Sequence, residues 1–463
     1  MAEELTGGVR TLLGDPKKAV LKLSGPMIVG MLVQSLYNIV DGIWVAGLGS
    51  DALAAVGLFF PVFMVILSLA SGLGVGGSSA ISRKVGARDK EMADSAAAHT
   101  LVVGLLIGIS LSGLTFPFLR EIFSWIGAEG RIVHLVVGYA RVLVGGAVVL
   151  VFSNIAGGIL RGEGDTRRAM HAMILGAGLN MVLDPIFIYK LKMEVVGAAW
   201  ATLTSVCVTS ALMIFWLFVR RNTYVDIKFS SFKFDGKMVR EILRVGIPSS
   251  FAQLSMSLAM FILNIMIVKV GGTDGIAVLT SAWRILMLGM VPLHGIAMGV
   301  TAVTGAAYGA KNIDKLNVGY LYGIKAGFAV ELAIATLVFI LAPQLSHLFT
   351  YSKGAAHISG DLIDALRWLV WFVPGVPFGR LTSAMFQGIG RGENALAVTI
   401  LRTVVMQASF CYLFGIWLGF GILGIWWGIV LGNLTAAAVS FAWGRLTVQK
   451  LRLQSGLLGY QRA

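Results

Sequence analysis

Apolar runs long enough to cross a bilayer recur along the whole chain. They lie near 19–47, 53–82, 95–118, 132–159, 168–189, 195–219, 242–270, 275–307, 318–345, 358–388, 395–418 and 422–444. A spanning helix needs about 20 mostly apolar residues, and hydropathy read this way predicts roughly twelve spans. The chain is 57% hydrophobic and only 13% charged, with a mean hydropathy of +0.83, whereas a soluble domain is about 25% charged. The expected fold class is therefore an all-α integral membrane protein. Its 58 glycines and 19 methionines fit helices that pack closely and adapt to varied ligands. Residues 1–18 have no apolar core, so no signal peptide is expected and the first span would direct insertion.

The formal charge of +14 would point to nucleic acid in a soluble protein. Here the cations sit in particular loops, so the expected partners are anionic lipid headgroups and no nucleic acid. One side carries Arg10, Lys17, Lys18, Lys22, then Arg83, Lys84, Arg88, Lys90, then Arg161, Arg167, Arg168. It continues with Arg220, Arg221, Lys228, Lys233, Lys237, Arg240, Arg244, then Lys311, Lys315, Arg391 and the tail cations Arg445, Lys450, Arg452 and Arg462. The other side has only Arg120, Arg131, Lys190, Lys192, Lys269 and Lys353. This asymmetry predicts a multi-pass cell-membrane protein with both termini in the cytoplasm. Cys207 and Cys411 lie far apart in apolar segments and are expected to be free core thiols. The six histidines form no metal-binding cluster.

The stretch 220–244 is the least apolar and divides the chain. The expected organisation is an N-terminal six-helix lobe over 1–220, a cytoplasmic loop over 221–241, and a C-terminal lobe with its tail over 242–463. The two halves resemble each other. GLGSDALAAVG (47–57) pairs with GGTDGIAVLT (271–280), and GARDK (86–90) with GAKNI (309–313). LRGEGDT (160–166) pairs with FQGIGRG (386–392), and VGAAW (196–200) with LGIWW (423–427). Six spans per half makes these parallel repeats about an axis along the membrane normal.

A carboxylate deep in an apolar helix is costly and marks an ion or substrate path. Asp41 is such a residue, and Gln34 and Asn38 share its face by the i, i+4, i+7 spacing. Pro26 removes a backbone hydrogen bond in the same helix and favours a kink. At a rise of ~1.5 Å per residue, Asp41, Asp184, Tyr139 and Thr202 reach similar depth from four helices of one half, with Asn180 one turn below Asp184. Asn154 lies deeper. Two carboxylates together in low dielectric either share a proton or hold a cation. Asn180, Thr202 and Tyr139 supply neutral oxygen donors for Na⁺, or a hydrogen-bonded lid over a proton. The repeat offset places Asn264 opposite Asp41 and the Phe410–Cys411 region opposite Asp184, so the carboxylates belong to one half only.

In the second half Glu331 is a further intramembrane carboxylate, while Arg284, Arg380 and Arg402 fit ion pairs or functional cations alike. Met287 and Met290 could line an adaptable cavity, although core packing is the commoner use of Met. Gly72-Leu-Gly74-Val-Gly-Gly77 matches a dinucleotide fingerprint but lies within a membrane helix, where small residues serve packing. No P-loop lysine motif and no convergent catalytic set occurs, so no enzyme and no cofactor is expected.

The first helix with Pro26, Gln34 and Asp41 leading into AGLG (46–49), the RKVGARD loop (83–89), LRGEGDT (160–166), NMVLDP (180–185) and QGIGRG (387–392) together resemble the multidrug and toxic compound extrusion (MATE) family, in its DinF-like branch. The resemblance covers nearly the whole chain. It implies twelve helices in two pseudo-symmetric six-helix lobes around a central cavity. It also implies export, by a monomer, of cationic or amphipathic organic compounds against H⁺ or Na⁺. The matched cation-site positions are Asp41, Asn180 and Asp184, accompanied by Tyr139 and Thr202. Gln34, Asn38, Asn154, Met287 and Met290 are the expected cavity residues, and Pro26 the bending point. In other branches the coupling carboxylates lie in the second half, where only Glu331 echoes them. A lipid or lipid-linked oligosaccharide flippase of the same superfamily is the alternative; it calls for a cavity rich in basic residues.

Overall fold

The computed structural model describes residues 5–220, 222–228, 230, 232–351, 354 and 356–460. Of the cations named above, Arg221, Lys353 and Arg462 lie outside these residues. Among the described residues every regular element is helical. Ten helices are long and apolar enough to cross a membrane, or eleven when Gly130–Gly145 and Ala147–Gly162, bent by 49°, count as one span. The longest, Gly236–Gly289, has 54 residues and is broken at Gly272, whose φ of 59° and ψ of −151° are not helical. The break makes two rods, 236–271 and 273–289, and Val291–Gly309 follows directly on the second. Counted this way the described residues form twelve candidate spans. The first six are Pro16–Ala46, Ser50–Gly86, Lys90–Trp125, the bent pair, Thr166–Lys190 and Glu194–Val219. The rods 236–271 and 273–309 are the seventh and eighth. Ile313–Thr350, Ala356–Gly388, Gly392–Trp417 and Gly421–Ser455 complete the series.

Local chemistry explains where the spans begin. Asp15 accepts from the Lys18 N–H at 2.9 Å just ahead of Pro16, an N-cap followed by proline at the first helical position. Asp89 caps the third span through Met92 N–H, Asp165 the fifth through Arg168 N–H, and Asn312 the ninth through Lys315 N–H.

The same turns record the repeat in backbone geometry. Left-handed φ angles occur at Gly49 and Gly272, at Arg88 and Lys311, at Gly164 and Gly390, at Lys192 and Gly419, and at Glu194 and Gly421. Each pair occupies corresponding turns of the two halves. Arg88, Lys192, Glu194 and Lys311 hold this conformation with a side chain, which costs roughly 1–2 kcal/mol per residue.

By compactness the chain forms two units. One is Met1–Gly14 with Gly25–Ser250; the other is Asp15–Ser24 with Phe251–Ala463. The first unit is held by small residues. A Cβ on Gly158 would stand 2.4 Å from the Gly74 carbonyl, and one on Gly162 would stand 2.9 Å from Ser78 Cα. The second and fourth spans therefore touch backbone to backbone, a small-xxx-small contact on both helices. The glycines of 72–77 are packing residues: Gly72 meets Ser250, Gly76 meets Ile242 and Gly77 meets Thr100. In the second unit Gly388 rests on Thr301 and Thr304, and Gly428 on Cys411. Both cysteines are free. Cys411 is buried, but Cys207 is exposed, contrary to its expected core position, because it falls on the outward face of the sixth span.

The segment after the sixth span folds onto the first unit. Glu163, 1% exposed, accepts from the Val225 N–H at 3.0 Å. Asp94 accepts from the Asp226 N–H at 2.7 Å. His99 Nδ1–H donates to the Ser95 carbonyl at 2.8 Å, leaving Nε2 to accept from the Asp235 N–H at 2.8 Å. Glu241 pairs with Arg83 at 2.9 Å and Lys84 at 3.4 Å. Burial pushes the Glu163 carboxyl up to about 8, against the bonds it accepts from Val225 and Tyr224.

Candidate functional site

The first, fourth, fifth and sixth spans bring one polar cluster together inside the first unit. Asp184, fully buried, and Asn180, 2% exposed, stand one turn apart on the fifth span. Asn180 and Thr202 of the sixth span meet at 3.1 Å. In the amide orientation that satisfies every neighbour, the Asn180 oxygen accepts from both the Thr202 hydroxyl and its N–H, each at 3.1 Å. Its nitrogen then donates to Asp184 Oδ2 at 2.7 Å. The carboxyl of Asp41 is hydrogen-bonded to that of Asp184. Tyr37, one turn before Asp41, is hydrogen-bonded to Thr202.

Tyr139 stands at 8% exposure within electrostatic reach of Asp41, Tyr37 and Asp184. Its ring meets Phe59 edge-on, with centroids 5.2 Å apart at 76°. Phe59 belongs to an apolar cluster with Phe123, Val136, Leu143 and Ala199, so Tyr139 is the polar rim of a hydrophobic wall. Beyond Asp184 the chain passes through Pro185 into a π-helical turn, Ile186–Lys190. There the Tyr189 hydroxyl donates to the Trp44 carbonyl at 2.6 Å and ties the end of the fifth span to the first.

The structure thus gathers Asp41, Asp184, Asn180, Thr202 and Tyr139. It adds Tyr37, which sequence reasoning passed over. Tyr37 lies on the stripe already marked by Gln34, Asn38 and Asp41, and that stripe was the signal. Gln34 is half-buried and Asn38 exposed on the same helix. Asn154 is spent on its own helix, donating to the Leu150 carbonyl at 3.0 Å. Pro26 is half-buried within an uninterrupted helix. In the second unit Met287 is half-buried and Met290 buried beside the turn that opens Val291–Gly309. Glu331 is fully buried with neither carboxyl oxygen partnered. Arg380 and Arg402 make no ion pair among the described residues, so the expected alternative of structural pairs is corrected for both.

A hydrogen bond between two carboxyl groups needs a proton between them. The oxygens that face one another are those of the two carboxyl groups, with the Asn180 carbonyl and the Thr202 hydroxyl paired to each other beside them; oxygen donors are the kind a hard cation takes.

The MatE family profile matches residues 26–186 and 248–413, more than half of the chain and both halves of the repeat. The chain belongs to the MatE family. As a MatE chain it is a multi-pass membrane transporter, not an enzyme. It is similar to the multidrug export protein MepA of Staphylococcus aureus (strain NCTC 8325 / PS 47), with 26% identity over 445 residues, 95% of this chain and 97% of that one. Among solved structures it is similar to an outward-facing multidrug resistance MATE family transporter of the MOP superfamily. That match has a TM-score of 0.95 and 56% identity over 97% of this chain and 100% of the other. It is equally similar to a MOP superfamily transporter from Pyrococcus furiosus Vc1 (DSM3638), with TM-score 0.94 and 56% identity over 97% and 100%. For that protein, reverse polarity of the binding pocket suggests different function.

Proposed function

We propose that this MatE-family chain is a secondary exporter that moves cationic or amphipathic organic compounds out of the cell against entering H⁺ or Na⁺, with coupling at Asp41 and Asp184. The observation that carries the reading is the hydrogen bond between those two carboxyl groups. Two carboxylates cannot stay ionised side by side without a counter-charge. Their occupancy is thus a two-state switch buried between spans. A proton keeps them joined; Na⁺, held by Asp41, Asn180, Asp184 and Thr202, is the second ion the oxygen set would accept. That the similar proteins are multidrug exporters and multidrug resistance transporters supports small-molecule cargo. The residues that carry the resemblance support the DinF-like branch.

Transport follows from the helix that bears Asp41. Neutralising Asp41 and Asp184 removes the cost of holding charge in the outer leaflet. The first span then repacks about Pro26, where one backbone hydrogen bond is already missing. Repacking shrinks the space bordered by Gln34, Asn38 and Tyr139, expels cargo and allows the opposite opening. The basic loops argue for cytoplasmic termini, and a chain that carries both halves of the repeat supports a functional monomer. In a drug-sensitive bacterium, the wild-type chain should raise the tolerated concentration of a cationic dye, while Asp41→Asn and Asp184→Asn should not, at equal membrane abundance. Resistance from both variants at the wild-type level would overturn the coupling assignment.

One observation favours the flippase reading as second choice. Arg380 and Arg402 supply, in the second unit, the basic groups such a substrate calls for.

A further inference from the structure

Among the described residues, two arginines of the second unit, Arg380 and Arg402, have no ion-pair partner. Arg402 lies ten residues into the eleventh span, ~15 Å from its start, and Arg380 eight residues before the end of the tenth, ~12 Å. Both are therefore near the middle of a hydrocarbon core ~30 Å thick. Arg402 is 6% exposed. The two guanidinium groups are close enough to repel, and His294 of the eighth span faces Arg380 with Arg402 nearby. His294 Nδ1–H is taken by the Met290 carbonyl at 2.9 Å, which leaves Nε2 as the ring's remaining polar atom. Neither arginine has a hydrogen-bond or ion-pair partner among the described residues, and no carboxylate faces them.

The surroundings are shaped around the two charges. Gly379 has no side chain where Arg402 Cδ would stand 3.1 Å and Nε 3.7 Å from a Cβ, and Ser440 Oγ reaches the same point at 4.0 Å. Ser440 is fully buried, and its hydroxyl has no partner. Arg402 itself rides on a π-helical turn, Leu401–Met406, a distortion frequent at functional sites. Two like charges at membrane depth beside an unused hydroxyl are costly as they stand. An anion with several oxygens removes that cost, and guanidinium forks match phosphate in geometry.

We propose that Arg380, Arg402, His294 and Ser440 form a phosphate-binding site in the second unit, taking a phosphorylated headgroup or a free phosphate. The site is separate from the Asp41–Asp184 cluster and stands or falls without it. It gives the transporter a place for the anionic end of an amphipathic cargo or lipid.

The test uses full-length protein and follows thermal unfolding with inorganic phosphate in detergent. In parallel, nanodiscs of phosphatidylglycerol are compared with nanodiscs of a phosphate-free galactolipid. Wild type should show a saturable upward shift with phosphate over chloride, or greater stability in phosphatidylglycerol than in galactolipid. A shift in the first arm assigns a free oxyanion, and one in the second alone a headgroup. Arg402→Gln should weaken either response roughly tenfold or more, Arg402→Lys should restore part of it, and Ser440→Ala should weaken it less. Asp41→Asn should leave it at wild-type size. No response from wild type in either arm, or an undiminished response in folded Arg402→Gln, would overturn the site. Where Arg402→Gln fails to fold, Arg380→Gln takes its place and is read in the same way.

Discussion

Asn180 and Thr202, 22 residues apart in the chain, meet at 3.1 Å and make the fifth and sixth spans one polar unit. Thr202 is shared, because Tyr37 of the first span bonds to it as well. A single hydroxyl therefore ties the helix that carries Asp41 to the helix that carries Asp184.

Removing that hydroxyl should loosen three helices together. Thr202→Val leaves Asn180 and Tyr37 each short of a partner and should cost about 1–3 kcal/mol. Tyr37→Phe removes one bond and should cost about 1 kcal/mol or less. Thermal unfolding in one detergent ranks the two; equal stability of Thr202→Val and wild type would contradict the shared bond.

Glu163 gives the folded segment at 222–228 a pH dependence. Its carboxyl, ordinarily near 4.5, is pushed up to about 8 by burial. A raised carboxyl favours the protonated folded state, so its contribution is full below the ordinary value and is lost as pH rises through about 8. Hydrogen exchange at the Val225 amide, corrected for intrinsic rate, should accelerate above that pH in wild type. Glu163→Gln should flatten the rise. A pH-independent protection in wild type would contradict the assignment.

Helix contact through Gly158 is predicted to be intolerant of one methyl group. A Cβ there meets the Gly74 backbone at 2.4 Å, so Gly158→Ala should cost about 1–3 kcal/mol through overpacking. Gly113, with open space at its Cβ position, is the control: Gly113→Ala should gain roughly 0.5–1 kcal/mol from helix propensity alone. Melting temperatures of the two variants should move in opposite directions.

The same account treats Glu331 as an isolated carboxyl. It is fully buried with both oxygens unpartnered, so Glu331→Gln should leave gradient-driven export within about twofold of wild type, because surviving activity here tracks the Asp41 helix. Loss of export in that variant, with folding intact, would move part of the coupling to the second unit.

Much of this arrangement was legible in the amino-acid sequence, for identifiable reasons. Hydropathy marked the spans because lipid requires long apolar helices. Helical rise and loop charge were enough to expect Asp41, Asp184, Tyr139 and Thr202 at one depth; Asp41 bonds to Asp184, Asn180 joins Asp184 to Thr202, and Tyr139 stands within electrostatic reach of both carboxyls. The repeat was visible in GARDK and GAKNI because both turns need a left-handed residue followed by a capping Asp or Asn, as Arg88–Asp89 and Lys311–Asn312 show. Tyr37 was not legible, since an aromatic on an apolar stripe reads as packing until its hydroxyl is seen to face Thr202. The burial of Glu163 was not legible, because it comes from a segment some sixty residues later. The solitude of Arg380 and Arg402 was hidden for a related reason: helix rotation decides whether a buried arginine meets an acid, and periodicity within one helix does not report its neighbour's rotation.

The central claim is that export is coupled through Asp41. The most direct measurement is export of a cationic dye from proteoliposomes under an imposed pH gradient or an imposed Na⁺ gradient, for wild type and Asp41→Asn. The account predicts wild-type transport under at least one gradient and its loss in Asp41→Asn, with both proteins inserted and folded alike. Transport by Asp41→Asn at the wild-type rate under the same gradient would contradict it.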